Sequence, residues 1–138
     1  MIVADTNLVA YTVIPGPLDR DVQCVRAIDP DWVAPLLVRS ELLNVVATYL
    51  AQKRMDRDRA LATFNRGMSF VEIEKRVIDP IGVLNLCERG PCTSYDAEFV
   101  WLAKELGVPL VTADQALQEA FPETALSFSA FVGSRKGS

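Results

Sequence analysis

Apolar positions recur at helical spacing in the middle of the chain. Hydrophobic residues at positions 42, 43, 46, 49 and 50 follow the period of a helix and predict one over Leu36–Lys53. A second helix is predicted over Met55–Met68, with apolar residues at positions 61, 64 and 68 on one face. Together the two segments resemble a helical hairpin.

Elsewhere, short apolar runs alternate with shorter helical segments. The clearest helix is predicted over Tyr95–Leu106, with Thr93 or Ser94 as its N-cap and Gly107 at its end. Other helices are predicted over Thr6–Ile14, Val22–Ile28, Pro80–Cys87 and Gln115–Phe121. Strands are predicted over Ile2–Ala4, Trp32–Ala34, Phe70–Ile73, Leu110–Thr112 and Leu126–Phe128. This alternation predicts an α/β fold, a three-layer α/β/α arrangement with a mostly parallel central sheet.

The length of 138 residues fits one domain, which we assign to residues 1–132, followed by a polar tail over residues 133–138. Half of the residues are hydrophobic, which favours a subunit or partner interface. No uncharged apolar stretch approaches the roughly 20 residues of a membrane span, and the acidic N-terminal segment does not resemble a signal peptide. The three cysteines have no metal-ligand spacing and are predicted to be reduced and buried, as in a cytoplasmic protein.

The chain contains no histidine. This excludes Ser-His-Asp and Cys-His nucleophile pairs, histidine-based RNA cleavage and histidine-rich zinc sites. The chemistry that remains depends on carboxylates, whose usual partner is a hard cation such as Mg²⁺. The net charge of −4 argues against coating of nucleic acid over a wide surface, but allows nucleic acid at a metal site with a local basic rim.

Asp5 and Asp114 each follow an apolar strand. Because ligands bind at the carboxyl ends of strands in an open parallel sheet, neighbouring strands would direct both carboxylates into one crevice. Each aspartate could instead simply cap the following helix. Taken as a matched pair, they favour a site.

Two further acids are candidates for the same crevice. Asp96 lies in the first turn of the predicted helix over Tyr95–Leu106, where it could face the crevice or merely compensate the helix dipole. Glu41 lies beside an apolar helical stripe, and a carboxylate rarely stays buried without a partner. Arg39 or Arg20 could neutralise it, so spacing alone leaves its role open.

The whole pattern resembles a known family. DTN after the first strand, a glutamate within SELLNVV, and the segment YDAEFVWLAKELGVPLVTAD are similar to the PIN domain, and most of all to the VapC-type toxins of type II toxin–antitoxin systems. The resemblance implies that Asp5, Glu41, Asp96 and Asp114 hold Mg²⁺ or Mn²⁺ and cut RNA. It also implies supporting roles for Asn7 and Thr112. Glu98 stands where such proteins often have an apolar residue. It could be an extra acid near the site, but we expect it at the surface.

The mechanism that follows is hydrolysis of an RNA phosphodiester by a metal-activated water. Two carboxylates about 5 Å apart repel each other by about 3 kcal/mol at an effective dielectric constant of 20, and a divalent ion removes that repulsion. Asp5, Asp96 and Asp114 would bind the metal, and Glu41 would complete its shell through water or orient the attacking water. The resemblance implies products with a 3′-hydroxyl and a 5′-phosphate.

The predicted hairpin carries the candidate RNA contacts Arg39, Lys53, Arg54 and Arg57. Acidic residues are interleaved with them, so a solvated charged face is an equally simple interpretation. The resemblance further implies a VapB-like antitoxin as a partner, and the apolar helices could form a homodimer face. We expect no membrane association.

Two other classes of protein remain as alternatives. A non-catalytic RNA- or partner-binding module with the same fold would bind but not cleave. A haloacid-dehalogenase-type phosphotransferase would use Asp5 as a covalent nucleophile, but it usually has a second aspartate where Asn7 stands. A receiver-like domain is disfavoured because there is no paired Asp-Asp after the first strand.

Overall fold

A computed structural model describes residues 1–136. Within them the strands are β1 (Ile2–Ala4), β2 (Trp32–Pro35), β3 (Glu72–Glu74), β4 (Leu110–Val111) and β5 (Ala125–Leu126). The helices are α1 (Thr6–Val13), α2 (Asp19–Ile28), α3 (Leu37–Ala51), α4 (Arg57–Met68), α5 (Pro80–Arg89), α6 (Ser94–Leu106), α7 (Gln115–Ala120) and α8 (Phe128–Lys136).

The five strands form one sheet in the order β3-β2-β1-β4-β5, and every neighbouring pair is parallel. Val3 in the central strand lies opposite both Val33 of β2 and Leu110 of β4. The central strands are fully buried, as expected for a parallel sheet covered on both faces. The predicted α/β fold with a three-layer arrangement is confirmed, and the sheet is entirely parallel.

The helices form the two outer layers. Helix α6 packs across β1, β2 and β4, with α5 against it, while α1 contacts α2, α3 and α4 in the other layer. Fully buried aromatic side chains, Phe99, Phe121 and Phe131, fill the core together with the strand residues. Helix α6 begins at the N-cap Thr93, as predicted, and ends at Gly107 with a left-handed φ of 66°.

Helices α3 and α4 pack against each other and form the predicted hairpin. They approach closely at Gly67, where a Cβ atom would lie 2.8 Å from Cδ2 of Leu42. A larger residue at this position would therefore require the Leu42 side chain to shift. The hairpin is thereby fixed on the layer that contains α1.

The C-terminal region differs from the sequence prediction. The predicted strand over Leu126–Phe128 is shorter, because β5 ends at Leu126 and α8 begins at Phe128. The Ser127 hydroxyl accepts a hydrogen bond from the Ala130 amide and starts the helix, whose Phe131 side chain is buried. Residues 133–136 of the predicted tail belong to α8, and residues 137–138 lie outside the described part of the chain.

Other differences are smaller. Helix α2 begins three residues before the predicted start at Val22, and β3 begins two residues after the predicted start at Phe70. All three cysteines are unpaired, but they are half-buried rather than buried because each lies at the margin of the core. Among residues 1–136, no helix has the length and apolar character needed to cross a membrane.

Candidate active site

β1 and β4 are neighbouring strands from which successive strands of the sheet are added in opposite directions. From β1 the sheet extends through β2 to β3 on one side and through β4 to β5 on the other. Such a reversal opens a crevice at the carboxyl ends of the two strands, where ligands bind in this class of sheet. Asp5 follows β1 directly, and Asp114 lies three residues beyond the end of β4.

The four acids singled out in the sequence line one cleft at this position. The cleft has a volume of about 490 Å³ and includes Asp5, Glu41, Asp96 and Asp114. The rest of its lining consists of Thr6, Asn7, Leu37, Ser40, Asn44, Val45 and Tyr95. No lysine or arginine contributes to this lining. The cleft is therefore a concentration of negative charge in a chain that is already acidic.

Asp5 is the most buried of the four carboxylates, with 7% of its surface exposed. Its Oδ1 accepts a hydrogen bond from the Thr6 amide at 2.8 Å. Its Oδ2 accepts a hydrogen bond from the Thr112 hydroxyl at 2.7 Å and a longer one from Asn7 Nδ2 at 3.4 Å. Asp5 thus caps α1 through Oδ1, while Thr112, just past β4, binds its Oδ2. The same residue can therefore cap the helix and lie in the cleft.

Burial raises the pKa of Asp5 from 3.8 to about 6. The hydrogen bonds from Thr112 and Thr6 lower this pKa, and the negative charges of Glu41 and Asp96 raise it further. Asp5 is therefore ionised at neutral pH at a considerable cost in solvation and repulsion. A cation in the cleft would relieve both.

Thr112 and Asn7 form a small network around Asp5. The Thr112 hydroxyl also accepts hydrogen bonds from Asn7 Nδ2 at 3.1 Å and from the Asp114 amide at 3.0 Å. Asn7 Oδ1 in turn accepts a hydrogen bond from the Ala113 amide at 3.0 Å. The network fixes the start of α1 against the segment that leads from β4 to Asp114.

Glu41 enters the cleft from α3, and its Oε1 accepts a hydrogen bond from the Thr6 hydroxyl at 2.7 Å. Partial burial raises the pKa of Glu41, with a further contribution from the charge of Asp96. The suggestion that Arg39 or Arg20 neutralises Glu41 is wrong for the described residues, since neither forms an ion pair with it. The Arg39 guanidinium lies over the Phe64 ring instead, 5.2 Å from its centroid.

Asp96 and Asp114 approach from α6 and α7. Thr93 caps α6 by accepting a hydrogen bond from the Asp96 amide at 3.1 Å, so the Asp96 carboxylate is not needed as a cap. Asp114 caps α7 through Oδ1, which accepts a hydrogen bond from the Leu117 amide at 3.2 Å. Both carboxylates are half-buried on the cleft wall.

The donor set suits a hard cation that keeps part of its water shell. In the described part of the chain, no three acidic, histidine or cysteine side chains already stand close enough to enclose a metal ion. Mg²⁺, however, is commonly bound through one or two carboxylates with several retained waters. The residues present, carboxylates beside amide and hydroxyl groups with no histidine, fit such an ion, and the raised pKa of Asp5 marks the charge that it would neutralise.

The cations expected to contact RNA do not line the cleft. Lys53 and Arg54 lie in the turn after α3, and Arg57 is the first residue of α4. These three residues and Arg39 are exposed. None of these four residues is part of the cleft lining, so their contact with RNA stays a prediction.

Several lining residues were not predicted from the sequence. Thr6, Ser40, Asn44 and Tyr95 all face the cleft. A signal existed, because Ser40 and Asn44 lie one turn apart on the helix that carries Glu41. Glu98 was expected at the surface but is half-buried next to the cleft, and burial together with the charge of Glu41 raises its pKa.

Comparison with known proteins agrees with this geometry. A family model described as "PIN domain" matches residues 2–121. The crystal structure of PAE2754 from Pyrobaculum aerophilum is similar in fold, with a TM-score of 0.76 and 16% sequence identity, over 99% of this chain and 90% of that chain. A search of curated proteins found no match.

Proposed function

This chain belongs to the PIN domain family, whose model covers most of its length, and from that premise we propose that it is a divalent-metal-dependent endoribonuclease. The observation that carries the proposal is the convergence of Asp5, Glu41, Asp96 and Asp114 on one cleft whose lining contains no lysine or arginine. The cleft also lies at the strand-order reversal, where this class of sheet binds ligands.

Asp5, Asp96 and Asp114 would hold Mg²⁺ or Mn²⁺, with Glu41 reaching it through water. When bound, such an ion lowers the pKa of water and stabilises the negative charge that develops on the phosphate. Thr112 and Asn7 fix the Asp5 carboxylate in one orientation. These two neutral side chains support the site without adding charge to it.

Glu41 would accept a proton from the attacking water. The Thr6 hydroxyl holds Oε1, which leaves Oε2 available as the acceptor. Its raised pKa brings the carboxylate closer to the working pH, which improves a general base. Because the chain has no histidine, a carboxylate is the natural candidate for this role.

We assign the protein to the VapC-type toxins, acting in the cytoplasm against RNA and controlled by a VapB-like antitoxin. Exposed Leu43, Leu50 and Leu61 on the hairpin support a homodimer or antitoxin contact. Induced expression in a bacterial host should arrest growth, and the Asp96→Asn chain should not. Light scattering of the purified protein tests the dimer, and a monomer mass at all concentrations would refute it.

The cleavage experiment uses total bacterial RNA with Mg²⁺ or Mn²⁺. Wild-type protein should give discrete fragments that disappear with EDTA and with Asp5→Asn, Glu41→Gln, Asp96→Asn or Asp114→Asn. Glu88→Gln, an exposed acid on α5, is the matched control and should cleave normally. Mapping the fragment ends should identify 5′-phosphates and the preferred RNA.

Intact RNA under all these conditions would identify the chain as a non-catalytic binding module of the same fold. Cleavage that persists in every acid variant would identify a contaminant. A covalent phosphoryl intermediate on Asp5, trapped with a phosphate mimic, would instead support phosphotransferase chemistry.

A further inference from the structure

A second cavity adjoins the acidic cleft. Its volume is about 790 Å³, and it lies between the start of α3, the segment 73–78 that leaves β3, and α6. Leu37 and Ser40 line both this groove and the acidic cleft. An extended ligand can therefore pass from one into the other without leaving the protein surface.

The two cavities differ in charge. The acidic cleft has four carboxylates and no cation in its lining, whereas the groove contains Lys75 and Arg76 beside Glu74 and Glu98. The carboxylates of the cleft repel a polyanion, so binding of a polyanion there requires basic side chains close to the cleft. Among the residues that line the two cavities, Lys75 and Arg76 are the only cations.

Lys53, Arg89 and Lys104 are less well placed than Lys75 and Arg76. Helix α3 has 15 residues and is about 22 Å long, with Glu41 near its start and Lys53 just past its end. Arg89 and Lys104 are both paired with Glu123. The groove therefore provides a path with two cations that begins at the cleft itself.

Arg76 can change partners at little cost. It lies 4.0 Å from Glu74 and 3.8 Å from Glu105, and its side chain is 41% exposed. Exposed ion pairs of this kind contribute between nothing and about 1 kcal/mol, so a phosphate can replace these partners.

Apolar side chains stand open along the same groove. Leu36 is 65% exposed and Val77 is 87% exposed, one on each side of the cavity. Exposed apolar surface beside cations matches an unpaired nucleotide, which offers a base face together with a phosphate. A base-paired strand keeps its bases stacked inside the helix and cannot offer them in this way.

Resting on the ribonuclease function proposed above, we propose that this groove binds the single-stranded RNA nucleotides next to the bond that is cut. Lys75 and Arg76 contact the backbone phosphates, and Leu36 and Val77 contact a base. The substrate segment is therefore unpaired on this side of the cleavage position.

The test measures RNA affinity separately from cleavage. The probe is a fluorescein-labelled single-stranded RNA of ten nucleotides with randomised sequence, and all proteins carry Asp5→Asn to prevent cutting. Affinity is measured by fluorescence anisotropy with Mg²⁺ over a range of KCl concentrations. Lys75→Ala/Arg76→Ala is compared with Arg59→Ala/Arg66→Ala, which removes the same charge from two exposed positions on α4.

Loss of two phosphate contacts should weaken binding by about 25-fold at 0.1 M salt and reduce the salt slope by about 1.4. The α4 double variant should change affinity less than twofold. Val77→Ser leaves the core intact and should weaken binding without changing the salt slope. With 4-thiouridine in the probe, ultraviolet cross-links should map to the peptide that contains residues 73–78.

Equal effects of the two double variants, or a larger effect of the α4 variant, would overturn the groove assignment. If wild-type protein cleaves RNA while Lys75→Ala/Arg76→Ala binds normally, the groove assignment fails and the ribonuclease function stands. If the wild-type chain cleaves no RNA and the Asp5→Asn chain binds none, both fail.

Discussion

The Thr112 hydroxyl donates a hydrogen bond of 2.7 Å to Oδ2 of Asp5, although the two residues are 107 positions apart in the chain. Both residues are buried, one at the end of β1 and the other just past β4. This contact adds a side-chain hydrogen bond to the backbone pairing of β1 and β4. Together with the Thr6 amide and Asn7, it orients the most buried acid of the cleft.

Replacing Thr112 with valine should destabilise the fold. The change removes the donor to a buried carboxylate and leaves the Asp114 amide without its acceptor. We expect a loss of about 2–3 kcal/mol in the free energy of unfolding, measured by urea denaturation in EDTA. Thr112→Ser keeps the hydroxyl and should lose about 1 kcal/mol or less. A valine variant as stable as the serine variant would contradict the role of this contact.

Divalent ions should stabilise the folded chain, because the ion binds the assembled cleft and not the unfolded chain. At ten times its dissociation constant, Mg²⁺ or Mn²⁺ should add about 1.4 kcal/mol, or roughly 3–5 °C in Tm. Asp96→Asn should reduce this gain, and Glu88→Gln should leave it unchanged. An unchanged Tm for the wild-type chain at millimolar metal would exclude the clustered-carboxylate site.

The raised pKa of Asp5 predicts how stability depends on pH in the absence of metal. The pKa of Asp5 is 3.8 in the unfolded chain and about 6 in the folded protein. The protonated carboxyl group therefore stabilises the fold fully below pH 4, and this stabilisation is lost as the pH rises through 6. Asp5→Asn removes an ionisation that costs about 3 kcal/mol at pH 7.5, but it also loses one hydrogen bond. A net gain of about 1–2 kcal/mol is expected.

That gain should be about 1 kcal/mol smaller at pH 5 than at pH 7.5, since Asp5 is then largely neutral in the wild-type fold. Thermal or urea unfolding of both proteins in EDTA at the two pH values measures the difference. A variant less stable than wild type at pH 7.5 would show that the carboxylate is stabilising and that its pKa is not raised.

The hydroxyl of Thr6 should set the pH at which Glu41 works. Its hydrogen bond lowers the pKa of Glu41 against the effect of burial, so Thr6→Val should raise that pKa further. Cleavage should then fall several-fold at pH 6 and much less at pH 8. Thr12→Val, which removes a hydroxyl bonded to the Leu8 carbonyl on the same helix, is the control. A uniform loss at every pH would indicate a packing effect instead.

Local chemistry accounts for the parts of the fold that the sequence predicts well. Thr93 predicts the start of α6 because its hydroxyl caps the helix. Gly107 predicts the end because glycine readily adopts the left-handed φ found there. Helix α8 was missed because its second half, residues 133–136, is polar, although Phe128 and Phe131 have helical spacing and Ser127 provides a cap. The polar second half concealed a short helix.

The convergence of the four acids on one cleft could be predicted from the sequence, but the surroundings of the cleft could not. Asp5 and Asp114 follow strands, so the parallel sheet alone brings them to one edge. The contact between Thr6 and Glu41 depends on how α3 lies against α1, which no local pattern specifies. The path of the segment 73–78 is irregular and is set by tertiary packing, so the groove beside the cleft emerged only from the structure.

The strand order also has a consequence for the newly made chain. Of the described strands, β1 is synthesised first and lies in the centre of the sheet. Its neighbour β4 is synthesised more than 100 residues later. Pairing over such a separation is slow to form and completes late in folding. During synthesis the four acids of the cleft therefore stay apart until the segment that contains β4 and Asp114 has been made.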